Sequence, residues 1–395
     1  MPKALAVRHT STVRNGVNNM RILFVSECYP SEAKPQYGIF RKQQEQALRD
    51  LGHEVDVLVP ALTGKDTSVK ERQAGLYDLQ YRNIRYDIFP LLASPNARKG
   101  ICDLIGEKQY DLVAVHITGD GVLKMTVKAC NELGIPVVAH YHGLNVWEEY
   151  ETGHPHRQKL YADRRRRILQ KAQGVVGVSD KVSEIARTRL INVPVHTVYN
   201  GVNTELFAQR KPNGDCFKII GVGNLIGIKG FTYLLQAFAK LHEQMPESRL
   251  DIVGEGVLME ALREEAQVLG VADAVCLTGR LPYEQVARKM AESDLFVLPS
   301  FYEALGCVYL EAMGCGLPTI GVYGMGIDEI IRHDENGLLV NPKDSNDLYE
   351  KMLRVAKDAA LAEKLSKQGR ETALTYTWAN SAKTLEKVYE EILAK

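Results

Sequence analysis

The chain has 395 residues, enough for two or three domains of roughly 150 residues each. Hydrophobic residues make up 45% and charged residues 25%, the balance of a globular protein, which excludes wholesale disorder. Lys+Arg and Asp+Glu both number 49, so no net field draws the chain onto nucleic acid or anionic lipid.

Residues 1–19 have neither a periodic pattern nor the apolar centre of a secretory signal, whereas Met20 opens a clear strand. We expect this extension to be disordered, or translation to begin at Met20. No run approaches the ~18 apolar residues of a membrane span. The 7 cysteines are odd in number and form no Cys-x-x-Cys pair, which reads as reduced thiols in a cytoplasmic protein.

Short apolar runs predict strands at 21–29, 54–60, 110–117, 136–141, 174–179 and 195–199. Amphipathic patterns predict helices at 39–51, 121–133, 157–173 and 181–190, while 62–100, with Pro90 and Pro95, reads as irregular. Turn chemistry fills 200–216, around Asn200, Gly201 and 212–215, and marks a junction. The alternation then restarts. Strands are predicted at 217–223, 249–254, 274–278, 295–299 and 318–323, with helices near 230–244, 257–269, 283–292 and 344–357. This order predicts an α/β fold of two Rossmann-like domains, 20–199 and 200–376. Ligands bind at the carboxyl ends of such strands, so two domains in tandem create a cleft.

The densest motif is PSFYEALGCVYLEAMGCGLP at 299–318. Glu303 follows a strand end, and Glu311 lies eight positions later inside a helix. A carboxylate accepts two hydroxyl donors at once, which suits the diols of sugars. The amides of Leu305, Gly306 and Cys307 precede or open that helix and can receive a phosphate or sugar oxygen. The segment resembles the paired-glutamate region of the retaining glycosyltransferases of family 4, which have the GT-B architecture. Relatives carry glycine at the first and third positions after the first glutamate; here Ala304 replaces the first and Gly306 keeps the second.

The resemblance extends along the chain. Tyr199 to Asn203 with Phe207 is similar to the family's opening of the second domain, and Gly254-Glu255-Gly256 to a later turn. Gly221 to Leu225, followed by Lys229-Gly230, resembles the diphosphate loop, where Asn224 stands at the usual arginine. His142, at the end of a strand, resembles the histidine that faces the transferred sugar, with Asn145 in place of the usual aspartate. Gly38 resembles a glycine turn that brings the acceptor close to the backbone. Residues 336–342 and Trp378 also fit, and the family's last helix crosses back to the first domain, which suits 377–395.

The resemblance implies a retaining hexosyltransferase using a UDP- or GDP-sugar as donor substrate, with no separate cofactor. It assigns Glu311 to the ribose, Lys229 and Asn224 to the diphosphate, and Glu303, His142 and the amides of Leu305, Gly306 and Cys307 to the sugar. Segments of the second half are similar to transferases of bacterial polysaccharide assembly. Carbohydrate or lipid-linked acceptors follow as expectations, with peripheral contact at the inner membrane face through Arg164–Arg167 as the weaker alternative to a solvated helix. His140, His142, His154 and His156 fit no compact zinc spacing, and no Asp-x-Asp occurs, so no metal is expected. Two rivals stay open: a nucleotide-sugar epimerase of similar shape, and an NAD(P) oxidoreductase suggested by Gly221, Gly223 and Gly227.

Overall fold

The first half of the chain runs β1 (Arg21–Ser26), α1 (Ile39–Asp50), β2 (Glu54–Leu62), β3 (Lys70–Gln73), β4 (Leu76–Tyr81), β5 (Asn83–Tyr86) and β6 (Phe89–Ala93). It continues with α2 (Pro95–Lys108), β7 (Leu112–His116), α3 (Asp120–Leu133), β8 (Val137–Tyr141), α4 (Pro155–Leu169), β9 (Gly174–Gly177), α5 (Asp180–Arg189) and β10 (Val195–Thr197). The second half opens with β11 (Lys218–Val222), α6 (Phe231–Gln244), β12 (Arg249–Val253), α7 (Met259–Val268), β13 (Val275–Gly279), α8 (Tyr283–Ala291) and β14 (Leu295–Val297). It closes with α9 (Cys307–Gly314), β15 (Thr319–Val322), β16 (Leu338–Val340), α10 (Ser345–Lys357), α11 (Ala359–Ala373) and α12 (Trp378–Leu393). This computed structural model describes residues 19–63, 65, 67–86, 89–93, 95–117, 119–143, 155–207 and 216–395. The expectation for the N-terminal extension therefore lies outside the described residues, except at Asn19, as do the ones for Asn145 and His154. The His156 side chain is likewise outside the description.

Two sheets result. The first has the order β10-β9-β8-β7-β1-β2-β4-β3 and is parallel apart from the β3–β4 pair. The second, β13-β12-β11-β14-β15-β16, is parallel throughout. Strands covered on both faces need continuous apolar runs, and β7 and β8 are buried at every position. Strand order reverses at β1/β7 and at β11/β14, and the loops leaving β1, β11 and β14 carry the motif residues.

The segment expected to be irregular contains strands β3 to β6 and the start of α2. Strand β4 pairs with β2 from Val57↔Leu76 to Leu62↔Tyr81. Its tyrosines hid it, because their rings bury while a hydroxyl finds a carboxylate: Tyr81 donates to Glu27 at 2.7 Å.

Chain order and spatial order part at the end. Helix α12 packs beside α1 on one face of the first sheet, where Leu385, Val388, Tyr389 and Ile392 join Ile22, Phe24 and Leu48 in one cluster. The chain passes between the halves twice at one place: Val202 N–H donates to the Tyr376 carbonyl at 2.8 Å, and Ser381 Oγ to the Tyr199 carbonyl at 2.7 Å.

Candidate active site in the interdomain cleft

A cavity of about 380 Å³ lies between the sheets, with walls from both halves. Gln36, Ile39, Phe40 and His142 face it from the first; Asn224, Lys229, Glu303, Leu305, Gly306, Cys307 and Glu311 face it from the second. The structure thus brings every sequence-selected site residue but Gly38 to one cavity. Gly38 is the left-handed residue opening α1, and its neighbours Ile39 and Phe40 form the wall instead.

The chain leaves β14 and reverses through 303–306 into α9. Gly306 has φ 79°, and a Cβ there would lie 2.6 Å from Tyr309 Cδ2. That ring cannot retreat, since Tyr309 is fully buried and donates to the Leu298 carbonyl at 2.6 Å. Only glycine satisfies both constraints, and the turn leaves Glu303 at the cavity while α9 carries Glu311 below it.

Lys229 ends a short turn after β11, and its ammonium donates to the Glu303 carboxylate. Both side chains are mostly covered, at 17% and 14% exposure, so this pair is screened far less than a surface one. Glu311 keeps an edge on the cavity but is otherwise enclosed; burial pushes its carboxyl up to about 7, and the Tyr283 hydroxyl, donating at 2.6 Å, pulls it back. Burial also raises the Tyr283 hydroxyl and pushes the Cys307 thiol up to about 12, with Glu311 next to both. Cys307 Sγ accepts from Asn200 Nδ2 at 3.2 Å, so it is an anchored apolar thiol.

In the first half, His140 on β8 and His142 just past its end lie two positions apart and so share a face, but they meet different partners. His140 is buried and shares a proton with the Tyr389 hydroxyl of α12 at 2.8 Å. His142 reaches the cavity, stacks on His116 at 5.1 Å and shares a proton between its Nε2 and His116 Nδ1 at 2.8 Å. Burial drives all three imidazoles to the neutral form, His140 to about 3, and the Arg41 charge adds to this. Their ring nitrogens lie within 4.8 Å of one another, close enough to hold a metal ion. Two of these nitrogens are already paired, His140 Nε2 with the Tyr389 hydroxyl and His116 Nδ1 with His142 Nε2, and the Arg41 charge opposes a cation; neutral imidazoles can also bond sugar hydroxyls. Of the arginine run, Arg165 turns inward to Asp120 at 2.5 Å and Arg166 lies 3.8 Å from Asp163, so the four do not form one basic stripe.

His116 and Tyr283 were missed by sequence reasoning. A polar residue ending the apolar strand 110–117 was the available signal for His116. For Tyr283 there was none beyond its place at a helix start following a strand.

Residues 43–206 match the family Glycosyltransferase Family 4, and residues 202–372 match Glycosyl transferases group 1. An uncharacterized glycosyltransferase of Methanocaldococcus jannaschii is 26% identical over 94% of this chain and 98% of its own length. The GDP-mannose-dependent alpha-(1-6)-phosphatidylinositol monomannoside mannosyltransferase of Mycolicibacterium smegmatis is 26% identical, over 82% of this chain and 86% of that protein. Among solved structures, the sucrose-phosphate synthase of Thermosynechococcus elongatus superposes with a TM-score of 0.76 at 22% identity, covering 95% of this chain and 100% of that one. Anabaena HepE in complex with UDP-glucose superposes with a TM-score of 0.73 at 17% identity, covering 94% and 100%. Two parallel α/β halves facing one polar cleft, with the last helix returned to the first, define the GT-B architecture. The chain belongs to glycosyltransferase family 4.

Proposed function

We propose that this glycosyltransferase moves a hexosyl group from a UDP- or GDP-sugar to an acceptor hydroxyl with retention of anomeric configuration. The observation that carries the reading is the convergence of Lys229, Glu303, Gly306 and Glu311 with His142 on one cavity between the sheets. In this reading Glu311 accepts the ribose hydroxyls, Lys229 and Asn224 face the diphosphate, and Glu303, His142 and the amides of Leu305, Gly306 and Cys307 hold the sugar. Lys229 stabilises charge on the leaving diphosphate, which it can do only by sharing or releasing Glu303. The bond from the anomeric carbon to the phosphate oxygen breaks as the bond to the acceptor oxygen forms on the same face. The departing phosphate oxygen takes the acceptor proton, so no dedicated nucleophile is required.

The relative named for GDP-mannose and the neighbour bound to UDP-glucose support a nucleotide-sugar donor. The phosphatidylinositol monomannoside in the same relative's name supports a role in glycoconjugate or cell-surface polysaccharide synthesis, with a carbohydrate or lipid-linked acceptor. Among the described residues no helix is long and apolar enough to cross a membrane; we place the enzyme in the cytoplasm, with any membrane contact peripheral. Lysine and helix-terminal amides supply the charge that a cation would otherwise provide, so the reaction is metal-independent. The test is to mix the protein with UDP- and GDP-sugars in EDTA and follow the products. Slow release of free nucleotide is expected; a new nucleotide sugar would indicate the epimerase, and loss of activity restored by magnesium or manganese would refute metal independence.

A further inference from the structure

After β15 the chain turns through residues 323–331, with a short 3-10 turn at Gly326–Glu329. One end of this segment is pressed on the loop that carries Glu303. Gly326 N–H donates to the Glu303 carbonyl at 3.1 Å, and a Cβ on Gly326 would stand 1.7 Å from the Ala304 carbonyl oxygen. No side chain fits between the two loops, so displacement of one is felt by the other.

The other end reaches across to the first half of the molecule. The Glu329 carboxylate accepts the amides of Asp180 and Lys181 at 2.7 Å each, one per oxygen, where α5 begins. Tyr199 donates a third bond to it at 2.8 Å, and the Lys181 ammonium returns a bond to the Gly324 carbonyl. A carboxylate receiving two consecutive amides at a helix start gains from both the charge-assisted bonds and the helix dipole. Ser179 caps the same turn from within, so the helix start is already formed and Glu329 adds a link between halves.

We infer that Glu329 is a positioning residue that couples the seating of a ligand at the Glu303 loop to closure of the two halves over the cleft. The inference rests on the transferase reading. A sugar drawn against Glu303 bears on Ala304 and Gly326, and Glu329 transmits that position to α5, which belongs to the half that carries His142.

The test uses the full chain with Glu329→Ala, Glu329→Asp and, from the opposite half, Lys181→Ala. Calorimetry with UDP and GDP should give affinities within about twofold of wild type, because Glu329 is not among the residues lining the cavity. Donor hydrolysis should fall by at least about tenfold in Glu329→Ala, the ratio expected for a lost charge-assisted bond. Glu329→Asp, which keeps the charge, should recover part of it, and Lys181→Ala should move the same way by less. Small-angle scattering should show a larger radius of gyration for unliganded Glu329→Ala and less contraction with nucleotide. Wild-type hydrolysis and scattering in Glu329→Ala, or loss of nucleotide affinity in step with turnover, would overturn the coupling. A wild-type protein that binds neither nucleotide overturns the transferase reading instead, and the unliganded scattering still decides whether Glu329 holds the halves together.

Discussion

At Glu311 the protein holds a carboxyl at the edge of neutrality. Burial disfavours the charged form, so the group's pKa in the fold stands above its value in the unfolded chain, and it costs stability as pH rises from the ordinary carboxylate range to about 7. A ribose diol donates to the ionised form, and binding therefore pulls the pKa down and releases a proton. Nucleotide affinity should weaken towards tenfold per unit as pH falls below about 7 and level off above it. Calorimetry with UDP and GDP across that range measures this, and Glu311→Gln should bind weakly with no pH slope. A sloping profile in the glutamine variant would assign the titration elsewhere. Lys229 and Glu303 form the other decisive pair. Lys229→Ala should lose about 3 kcal/mol or more of transition-state stabilisation, read as kcat/KM for donor. Asn224→Ala removes only a neutral hydrogen bond, worth ~1 kcal/mol. Because Glu303 is left unpaired when Lys229 goes, the double variant Lys229→Ala with Glu303→Gln should lose less than the sum of the two. Additive losses, or a more damaging Asn224→Ala, would break the assignment.

Among the elements, what the sequence made legible followed one rule: periodic apolar segments announced themselves, and mixed ones did not. The strands 21–29, 110–117 and 136–141 are runs of aliphatic residues buried on both faces, and each contains an observed strand. Strand β4, LYDLQY, earns its place by long-range pairing with β2, which no local pattern reveals. The paired glutamates were legible because a loop and one short helix fix both. The partnership of His142 with His116 joins residues 26 positions apart at the ends of two neighbouring strands, and the bond from Tyr283 to Glu311 joins two helices. Such contacts are set by tertiary packing alone. The 303–306 turn shows how tightly one element can bind function to fold. Gly306→Ala meets a left-handed backbone and a fixed Tyr309 ring, and should cost about 1–3 kcal/mol in denaturant unfolding. It should also weaken donor binding, because the amides at 305–307 turn with it. A variant as stable as wild type would mean that the Tyr309 ring yields, contrary to its buried hydrogen bond.

On the scale of the whole molecule, the order of synthesis conflicts with the order of packing. Helix α12 is made after every other element described, yet it covers the face of the first sheet built from Ile22, Phe24, Leu112 and Val138. Without it those side chains meet water, and the His140 ring loses its Tyr389 partner. Burying a leucine or aromatic side chain is worth ~1.5–3 kcal/mol, so losing Leu385, Tyr389 and Ile392 together removes most of a domain's usual margin. The second half keeps its own sheet and helices and loses short links such as the Val202–Thr377 bridge and the bond from Asn380 to the Thr375 carbonyl. A chain ending at Tyr376 should therefore be cut by a nonspecific protease within its first half while the second half persists as a resistant fragment. Leu385→Ala in the full chain should weaken the first half by about 2–5 kcal/mol without changing nucleotide affinity at the second. Addition of a peptide spanning 377–395 to the shortened chain should restore part of the protection. Equal cleavage of the full and shortened chains would mean that α1 and the first sheet fold without this helix, and that its contacts are made after the first half is already complete.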